Sequence, residues 1–317
     1  MLHNMSKSLA KTLMEMYPNI PEKNDLSLNE IFRQDEYIQA SEEEQNRIKL
    51  SSAQFRYDYE KRRGFFDVYF PNIYRSNEFH KKSILDLGSF TGGRLVQWVE
   101  RYNFSEARGI DINPIFAEAG NMFAKEKGVN ATFDTGFAES LPYELNSFDF
   151  IVSCDVFEHV QNVKQAIQEC FRVLKPGGKL FAVFPPLETH LGLVTKMPAL
   201  QWFFSGKTIT NAYNEILLKR GQEAYWYSRT NGELSEWERL PTLNGITVRG
   251  FRKIIVQQKR WNIVYWGNRP IFSHGRRAEM VVFRVLQNLF SLPARLPLLV
   301  ELLLSRICCC LEKKNVY

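Results

Sequence analysis

Short apolar runs alternate with longer amphipathic stretches through the middle of the chain. The apolar runs are residues 83–87, 107–111, 148–152 and 179–184. Runs that are apolar nearly throughout are typical of strands in a parallel sheet covered by helices on both faces. Residues 117–127 and 163–174 predict helices, and the second is followed by a Lys-Pro-Gly-Gly stop that begins at Lys175. The pattern therefore indicates an α/β fold.

The segments on either side of this region differ from it in composition. Residues 1–80 are polar and helix-prone, with Ser41 placed as an N-cap before three glutamates, and they predict a helical N-terminal extension. Residues 187–243 form an aromatic-rich insertion. Beyond it, residues 249–258 predict a helix, and residues 261–266 and 306–311 predict the last two strands. The stretch from 271 to 305, apolar but rich in arginine, predicts a basic lid.

Charge is unevenly distributed along the 317 residues. The formal net charge is +6, yet the segment from Arg249 to Tyr317 holds 13 basic and 3 acidic residues, which leaves the first 248 residues acidic overall. An asymmetry of this kind predicts an anionic partner near the C-terminal part of the chain. The composition is otherwise that of an ordinary globular protein and excludes collagenous, low-complexity and largely disordered classes.

Five cysteines, three of them consecutive from Cys308 to Cys310, do not form the spaced framework of a secreted disulfide protein. They favour a reducing compartment. Lipidation or metal binding by the triplet is an alternative, but a buried final strand is the better interpretation. The sequence shows no signal-peptide pattern and no apolar run long enough to span a bilayer, so we expect a cytoplasmic protein.

The chemistry is concentrated after the first predicted strand. Asp86 to Gly93 form a glycine-rich turn that opens a helix, at the edge of the sheet where ligands of doubly wound folds bind. Asp111 ends the second predicted strand, where a carboxylate accepts hydrogen bonds from ribose hydroxyls. The glycines lack the spacing of a dinucleotide fingerprint, and Asp86 suits a cationic ligand better than a pyrophosphate. An adenosine-type cofactor is therefore expected.

Five blocks in order resemble the class I S-adenosylmethionine-dependent methyltransferases, and specifically the type 11-like members. They are residues 84–92, 109–111, 136–142, 148–160 and 173–180. The resemblance implies a Rossmann-like, seven-stranded, mostly parallel sheet with helices on both faces, in one methyltransferase domain at 81–317. It also implies S-adenosyl-L-methionine as cofactor and S-adenosyl-L-homocysteine as product.

The resemblance further implies which residues bind the cofactor. Gly88, Ser89 and Gly92 would line the methionine part, Asp111 would hold the ribose, and Ala138 would flank the adenine. The full implied set is Asp86, Gly88, Ser89, Thr91, Gly92, Asp111, Ile112, Phe137, Ala138, Glu139, Cys154 and Asp155. Two positions depart from the family pattern, because Phe90 stands where glycine is usual and Phe137 where Asp is common.

Three residues are candidates for catalysis. His190 follows the predicted strand at 179–184, and His159 lies in the block at 148–160, so either is placed to act as general base for an acceptor hydroxyl. Asp155 is the third candidate. Asp155, Glu158 and His159 also resemble a metal-binding run of quinone-pathway O-methyltransferases, although no metal ligand is assigned. A structural role for Glu158 and His159, orienting the cofactor loop or capping a helix, stays open.

A weaker resemblance, in residues 190–204 and 243–251, is to bacterial methyltransferases of surface polysaccharides and sugars. It implies O-methylation of a sugar, or of a glycan-linked or nucleotide-linked small molecule. The basic charge of the C-terminal segment favours an anionic acceptor. The alternatives are a lipid or quinone-type acceptor at a membrane surface, then RNA methylation or an NAD-dependent sugar-modifying reaction. No specific nucleic-acid partner is expected. The segment 271–305 would supply any peripheral contact with the inner face of a membrane.

Overall fold

The computed structural model describes residues 35–70, 73–186, 244–270 and 304–315, with isolated positions between 5 and 12 and between 204 and 212. The predicted insertion at 187–243, with His190, lies outside the described residues apart from those isolated positions. The predicted lid at 271–305 likewise lies outside them, except where the final strand begins. Within the described part of the chain, no helix is both long and apolar enough to cross a membrane.

Seven strands form one sheet, with order β3-β2-β1-β4-β5-β7-β6. The strands are β1 Ser83–Leu87, β2 Glu106–Asp111, β3 Ala131–Thr135, β4 Phe148–Cys154, β5 Leu174–Phe184, β6 Trp261–Pro270 and β7 Leu304–Lys313. Strands β1 to β5 run parallel, and β7 pairs antiparallel with both β5 and β6. The expected seven-stranded, mostly parallel sheet is confirmed.

Helices connect the strands and precede them. They are α1 Asp35–Gln39, α2 Glu42–Arg63, α3 Phe65–Tyr69, a 3-10 turn Ser76–Phe79, α4 Gly93–Tyr102, α5 Pro114–Lys127, α6 Val163–Val173 and α7 Val248–Gln258. Helix α2 begins as its sequence predicts, since Ser41 Oγ accepts from the amide of Glu44. Helix α6 ends one residue before the predicted position, and β5 already begins at Leu174. The Lys-Pro-Gly-Gly stop therefore lies inside the strand β5.

Each face of the sheet supports its own apolar core, because successive side chains of a strand point to opposite faces. Ile84 packs with α2, α3 and α4 on one face, while Leu85 packs with α6 and α7 on the other. The cysteine triplet follows the same alternation. Cys308 and Cys310 are buried on the first face and Cys309 on the second, which confirms the interpretation of the triplet as part of a buried strand.

Candidate active site

A cavity of about 450 Å³ opens at the carboxyl ends of β1, β2 and β4. Its size lies in the range of small-molecule and cofactor sites, and its place is the ligand edge of a doubly wound sheet. The predicted residues that line it are Gly88, Ser89, Asp111, Ile112, Phe137, Ala138, Glu139, Cys154, Asp155 and His159. The structure therefore brings most of the predicted site together.

The turn after β1 is held in a conformation that leaves its backbone facing the cavity. Gly88 has φ +73°, and a Cβ there would lie 2.2 Å from Cγ2 of Val156. The amides of Gly88 and Ser89 both donate to the carbonyl of Ile110. Ser89 Oγ is buried and has no hydrogen-bond partner among the described residues. A loop with a buried, unsatisfied hydroxyl beside a cavity fits a ligand that supplies the missing polar contact.

Asp111 ends β2 with both carboxylate oxygens engaged by the backbone. Oδ2 accepts from the amide of Phe90 at 3.0 Å and Oδ1 from the amide of Asn113 at 3.1 Å. A carboxylate has about four acceptor positions, so the group can also accept a hydroxyl of a ribose. Burial raises the pKa of Asp111 to about 6, although these amide hydrogen bonds oppose the rise. The carboxylate is mostly ionised at neutral pH.

The loop after β3 forms one wall of the cavity. The Phe137 side chain is 41% exposed, and Ala138 beside it is buried. The carboxylate of Glu139 accepts a hydrogen bond from the amide of Asn162, and its backbone carbonyl accepts from the side chain of Gln165. Glu139 therefore ties this wall to the N-terminus of α6, while the ring of Phe137 offers a flat apolar surface for a base.

Three of the predicted cofactor residues lie behind the loop and do not line the cavity. Asp86 is completely buried and accepts hydrogen bonds from Arg94 of α4. Thr91 is also buried, with its hydroxyl 3.2 Å from the hydroxyl of Ser52 in α2. At Gly92, a Cβ would meet the ring of Phe133 at 2.6 Å. These residues hold the turn against the sheet and the helices.

The opposite end of the cavity follows β4. Burial raises the pKa of Cys154 to about 12, so its thiol stays neutral. Asp155 has φ +59°, its amide donates to the carbonyl of Val183, and its carboxylate forms an ion pair with Arg306 of β7. Such a backbone conformation is uncommon for a residue with a side chain and often marks a functional site. It aims the Asp155 carboxylate at the cavity end near β7.

His159 lines the cavity on a turn that follows Asp155. Its Nε2 lies 3.5 Å from Oε1 of Glu158, which is buried. Burial, with Asp155 nearby, raises the pKa of Glu158 well above its usual range. Among the side chains that the structure describes, no three carboxylate, histidine or cysteine groups converge where they could hold a metal ion. The metal arrangement of Asp155, Glu158 and His159 considered from the sequence is therefore not formed.

The matched segment decides the family. Residues 85–182 match the family model described as a methyltransferase domain, and this segment contains the cavity loops built on β1, β2 and β4. Residues 85–182 are a class I, S-adenosylmethionine-dependent methyltransferase domain.

Relatives of the methyltransferase domain act on different atoms, as their names state. Norajmaline N-methyltransferase of Rauvolfia serpentina is 33% identical over 113 residues, which are 35% of this chain and 38% of that protein. A ubiquinone biosynthesis O-methyltransferase of Pseudomonas fluorescens (strain Pf0-1) is 27% identical over 169 residues, 53% of this chain and 66% of that protein. The matches span less than two thirds of either relative.

The solved structure of the YcgJ protein from Bacillus subtilis is also similar. It superposes with a TM-score of 0.43 and 19% identity, over 76% of this chain and 96% of that one.

Sequence reasoning missed the part of the methyltransferase cavity that comes from outside residues 85–182. Arg56, Tyr59 and Arg63 of α2 line it, as do Tyr69 of α3 and Arg306 of β7. A signal for the α2 residues was present, since positions 56, 59, 60 and 63 recur at the spacing of one helix face. Nothing in the sequence signalled Arg306, which is 151 residues from its ion-pair partner.

Proposed function

We propose that this chain transfers a methyl group from S-adenosyl-L-methionine to an oxygen of a small or glycan-type acceptor. The observation that carries the proposal is Asp111, which faces a cavity within a methyltransferase domain and presents its carboxylate beside the turn at Gly88. The ribose of the cofactor would be held by this carboxylate. Ser89 Oγ, buried and unsatisfied among the described residues, supports the fit by offering a polar contact.

When bound, S-adenosyl-L-methionine supplies an activated methyl group on a sulfonium. Gly88 and its neighbours bring the backbone close to that ligand without a Cβ in the way. Phe137 and Ala138 would cover the adenine. The protein's main contribution is to align donor and acceptor, because proximity and orientation supply much of the acceleration in such displacements.

His159 would accept the acceptor proton. It is the candidate base that lies on the cavity among the described residues, and its partner Glu158 is near enough to orient the ring. A histidine is ordinarily neutral near pH 7 and suits deprotonation of a hydroxyl. His190, the other sequence candidate, lies outside the described residues.

Two acceptor classes are supported by different observations. The weaker sequence resemblance in residues 190–204 and 243–251 favours a sugar or a nucleotide-linked sugar. The relative named for ubiquinone biosynthesis favours an aromatic, quinone-type ring. We propose the sugar-type acceptor first, in the cytoplasm, with peripheral membrane contact through 271–305 if the sugar is lipid-linked.

The test measures cofactor binding and transfer separately. Calorimetry with S-adenosylhomocysteine should give micromolar binding, lost in an Asp111→Ala variant. Methyl-labelled cofactor is then supplied with two acceptor panels, nucleotide-linked sugars and catechol-type rings, and the labelled product is identified by mass. Absence of nucleoside binding by the unmodified protein contradicts the proposal. Labelled catechols without labelled sugars move the acceptor to the quinone class.

A further inference from the structure

Helix α2 presents one face to the methyltransferase cavity. Arg56, Tyr59, Glu60 and Arg63 line it at helical spacing, and the helix precedes the family-matched domain. The guanidinium of Arg63 lies over the ring of Tyr59, with 5.5 Å from its carbon to the ring centroid. Cationic groups thus reach the cavity from a helix that also contacts the turn after β1, through Ser52 and Thr91.

Two other arginines that line the cavity are paired with acids, whereas Arg63 contacts the ring of Tyr59. Arg94 is bound to Asp86, and Arg306 is bound to Asp155. Glu60 is also engaged, since its Oε1 accepts from the amide of Phe65 and from Nε1 of Trp98, each at 2.6 Å. Burial raises the pKa of Glu60 above its usual range. Arg94, Arg306 and Glu60 therefore each have a hydrogen-bond or ion-pair partner within the protein.

Arg56 is different from these arginines. Within the described part of the chain, no carboxylate forms an ion pair or hydrogen bond with its guanidinium. Its guanidinium carbon lies 4.8 Å from the ring centroid of Phe90. The neighbouring Arg94 lowers the pKa of Arg56, and Asp155 opposes that change. Arg56 is an exposed residue of α2, and it therefore presents a positive charge at the open wall of the cavity.

Phe90 supports Arg56 from a strained position. It has φ +51°, a region that a side chain as bulky as phenylalanine rarely enters. Its amide is held by Asp111, and its ring packs on Phe116 with centroids 4.3 Å apart. Backbone strain maintained by surrounding contacts is typical of functional positions. Here it places an aromatic platform under the guanidinium, which leaves the polar edge of Arg56 available to a ligand.

We propose that Arg56 forms an anion subsite of the cavity, which binds a carboxylate or phosphate oxygen of the methyl acceptor. This proposal rests on the proposed function and deepens it by naming the charge of the substrate. Arginines and carboxylates both line the cavity, but no carboxylate among the described residues pairs with Arg56, so an anionic group of the acceptor would supply its partner. Arginine binds carboxylate and phosphate oxygens through two parallel N–H donors.

The anion that binds Arg56 could also be the carboxylate of the cofactor's methionine part. Two nucleosides distinguish this carboxylate from an acceptor anion. S-adenosylhomocysteine carries the carboxylate, whereas 5′-methylthioadenosine has the adenosine and the thioether but no carboxylate. Inorganic phosphate, added to protein saturated with S-adenosylhomocysteine, probes an acceptor anion. The variants are Arg56→Gln, the charge-preserving Arg56→Lys, and Arg62→Gln, which makes the same charge change on α2 at an exposed position that does not line the cavity.

We expect phosphate to stabilise the saturated wild type and Arg62→Gln against thermal unfolding beyond the effect of sodium chloride at equal ionic strength. Arg56→Gln should weaken phosphate binding by at least about tenfold, and Arg56→Lys should keep part of the affinity. A different outcome is that Arg56→Gln weakens binding of S-adenosylhomocysteine but not of 5′-methylthioadenosine. In that case Arg56 binds the methionine carboxylate, and the assignment to the acceptor is overturned. Equal behaviour of Arg56→Gln and Arg62→Gln with all three probes overturns the subsite.

The proposed function fails in a different way. In that case neither nucleoside binds the wild type, and phosphate added to the nucleoside-free protein still tests Arg56 by the same comparison of variants.

Discussion

Nη2 of Arg94 donates to Oδ1 of Asp86 at 2.5 Å, and Nε of the same guanidinium lies 3.3 Å from Oδ2. Asp86 is completely buried on β1, and Arg94 lies in the first turn of α4. Burial raises the pKa of Asp86 to about 6, while the guanidinium opposes that rise. The acid that the sequence assigned to a cationic ligand is thus neutralised by the protein itself and fastens α4 to the sheet.

Replacing Arg94 by Met should destabilise the fold by about 3–5 kcal/mol, because a buried carboxylate is left without its partner. Urea denaturation followed by circular dichroism measures the change. Arg101→Gln is the control, since its ion pair with Asp67 is partly exposed and should contribute less than about 1 kcal/mol. A second change, Asp86→Asn, made in the Arg94→Met background should recover part of the loss. Equal stability of the two single variants would contradict a structural role for the pair.

Gly88→Ala should destabilise the protein and impair cofactor binding. The positive φ costs about 1–2 kcal/mol for any residue with a Cβ, and the contact with Val156 adds overpacking of about 1–3 kcal/mol. Gly128→Ala is a matched control, because Gly128 has φ +67° but nothing lies within 4 Å of its added Cβ. The two unfolding free energies should differ by at least about 1 kcal/mol, and Val156→Ala should reduce that difference. No difference between the two alanine variants would exclude the contact with Val156.

Cofactor affinity should fall as the pH is lowered through about 6. The pKa of Asp111 is raised to about 6 by burial, so its carboxylate takes up a proton in that range and loses an acceptor position for a ribose hydroxyl. Below pH 6 the association constant for S-adenosylhomocysteine should decline by up to about tenfold per pH unit. Calorimetry between pH 5 and 8 measures this. Asp111→Asn should bind weakly with a flatter profile, and an unchanged slope in that variant would assign the titration to another group.

The sequence predicted that Gly88 and Asp111 lie together on one cavity, because this part of the cavity is built from local features. Gly88 and Asp111 each follow a strand that periodicity identifies, and parallel strands bring their carboxyl ends to one edge. Strand β3 was not identified, because Ala131–Thr135 is short and mixes apolar with polar residues. The pairing of Asp155 with Arg306 depends on β7 lying beside β5, an antiparallel neighbour that only the completed topology fixes.

His159→Ala should lower kcat by about 10²- to 10⁴-fold if the imidazole is the general base. Binding of S-adenosylhomocysteine should stay within about twofold of the wild type, since removing a base leaves ribose and adenine contacts intact. His80→Ala, at an exposed position after the 3-10 turn, is the control for loss of a histidine. Transfer at the wild-type rate by His159→Ala would pass the role to another group, of which His190 is the next candidate.

Asn244 fixes the turn that carries His159. Its side-chain amide donates to the carbonyls of Phe157 and Val160, each at 2.7 Å, and its backbone amide donates to the carbonyl of Glu158. Asn244→Ala leaves two carbonyls without their donor and should cost about 1–3 kcal/mol of stability.

Because the same turn orients His159, Asn244→Ala should also lower kcat, with little change in cofactor affinity. The kcat of Asn244→Asp should be low as well, since a carboxylate donates no hydrogen bond and adds charge beside Glu158. Asn262→Ala is the control: its side chain meets Glu312 at 3.4 Å on the surface, and its loss should change stability by less than about 0.5 kcal/mol. If Asn244→Ala loses stability but keeps the wild-type kcat and pH–rate profile, the turn does not need Asn244 to orient the base.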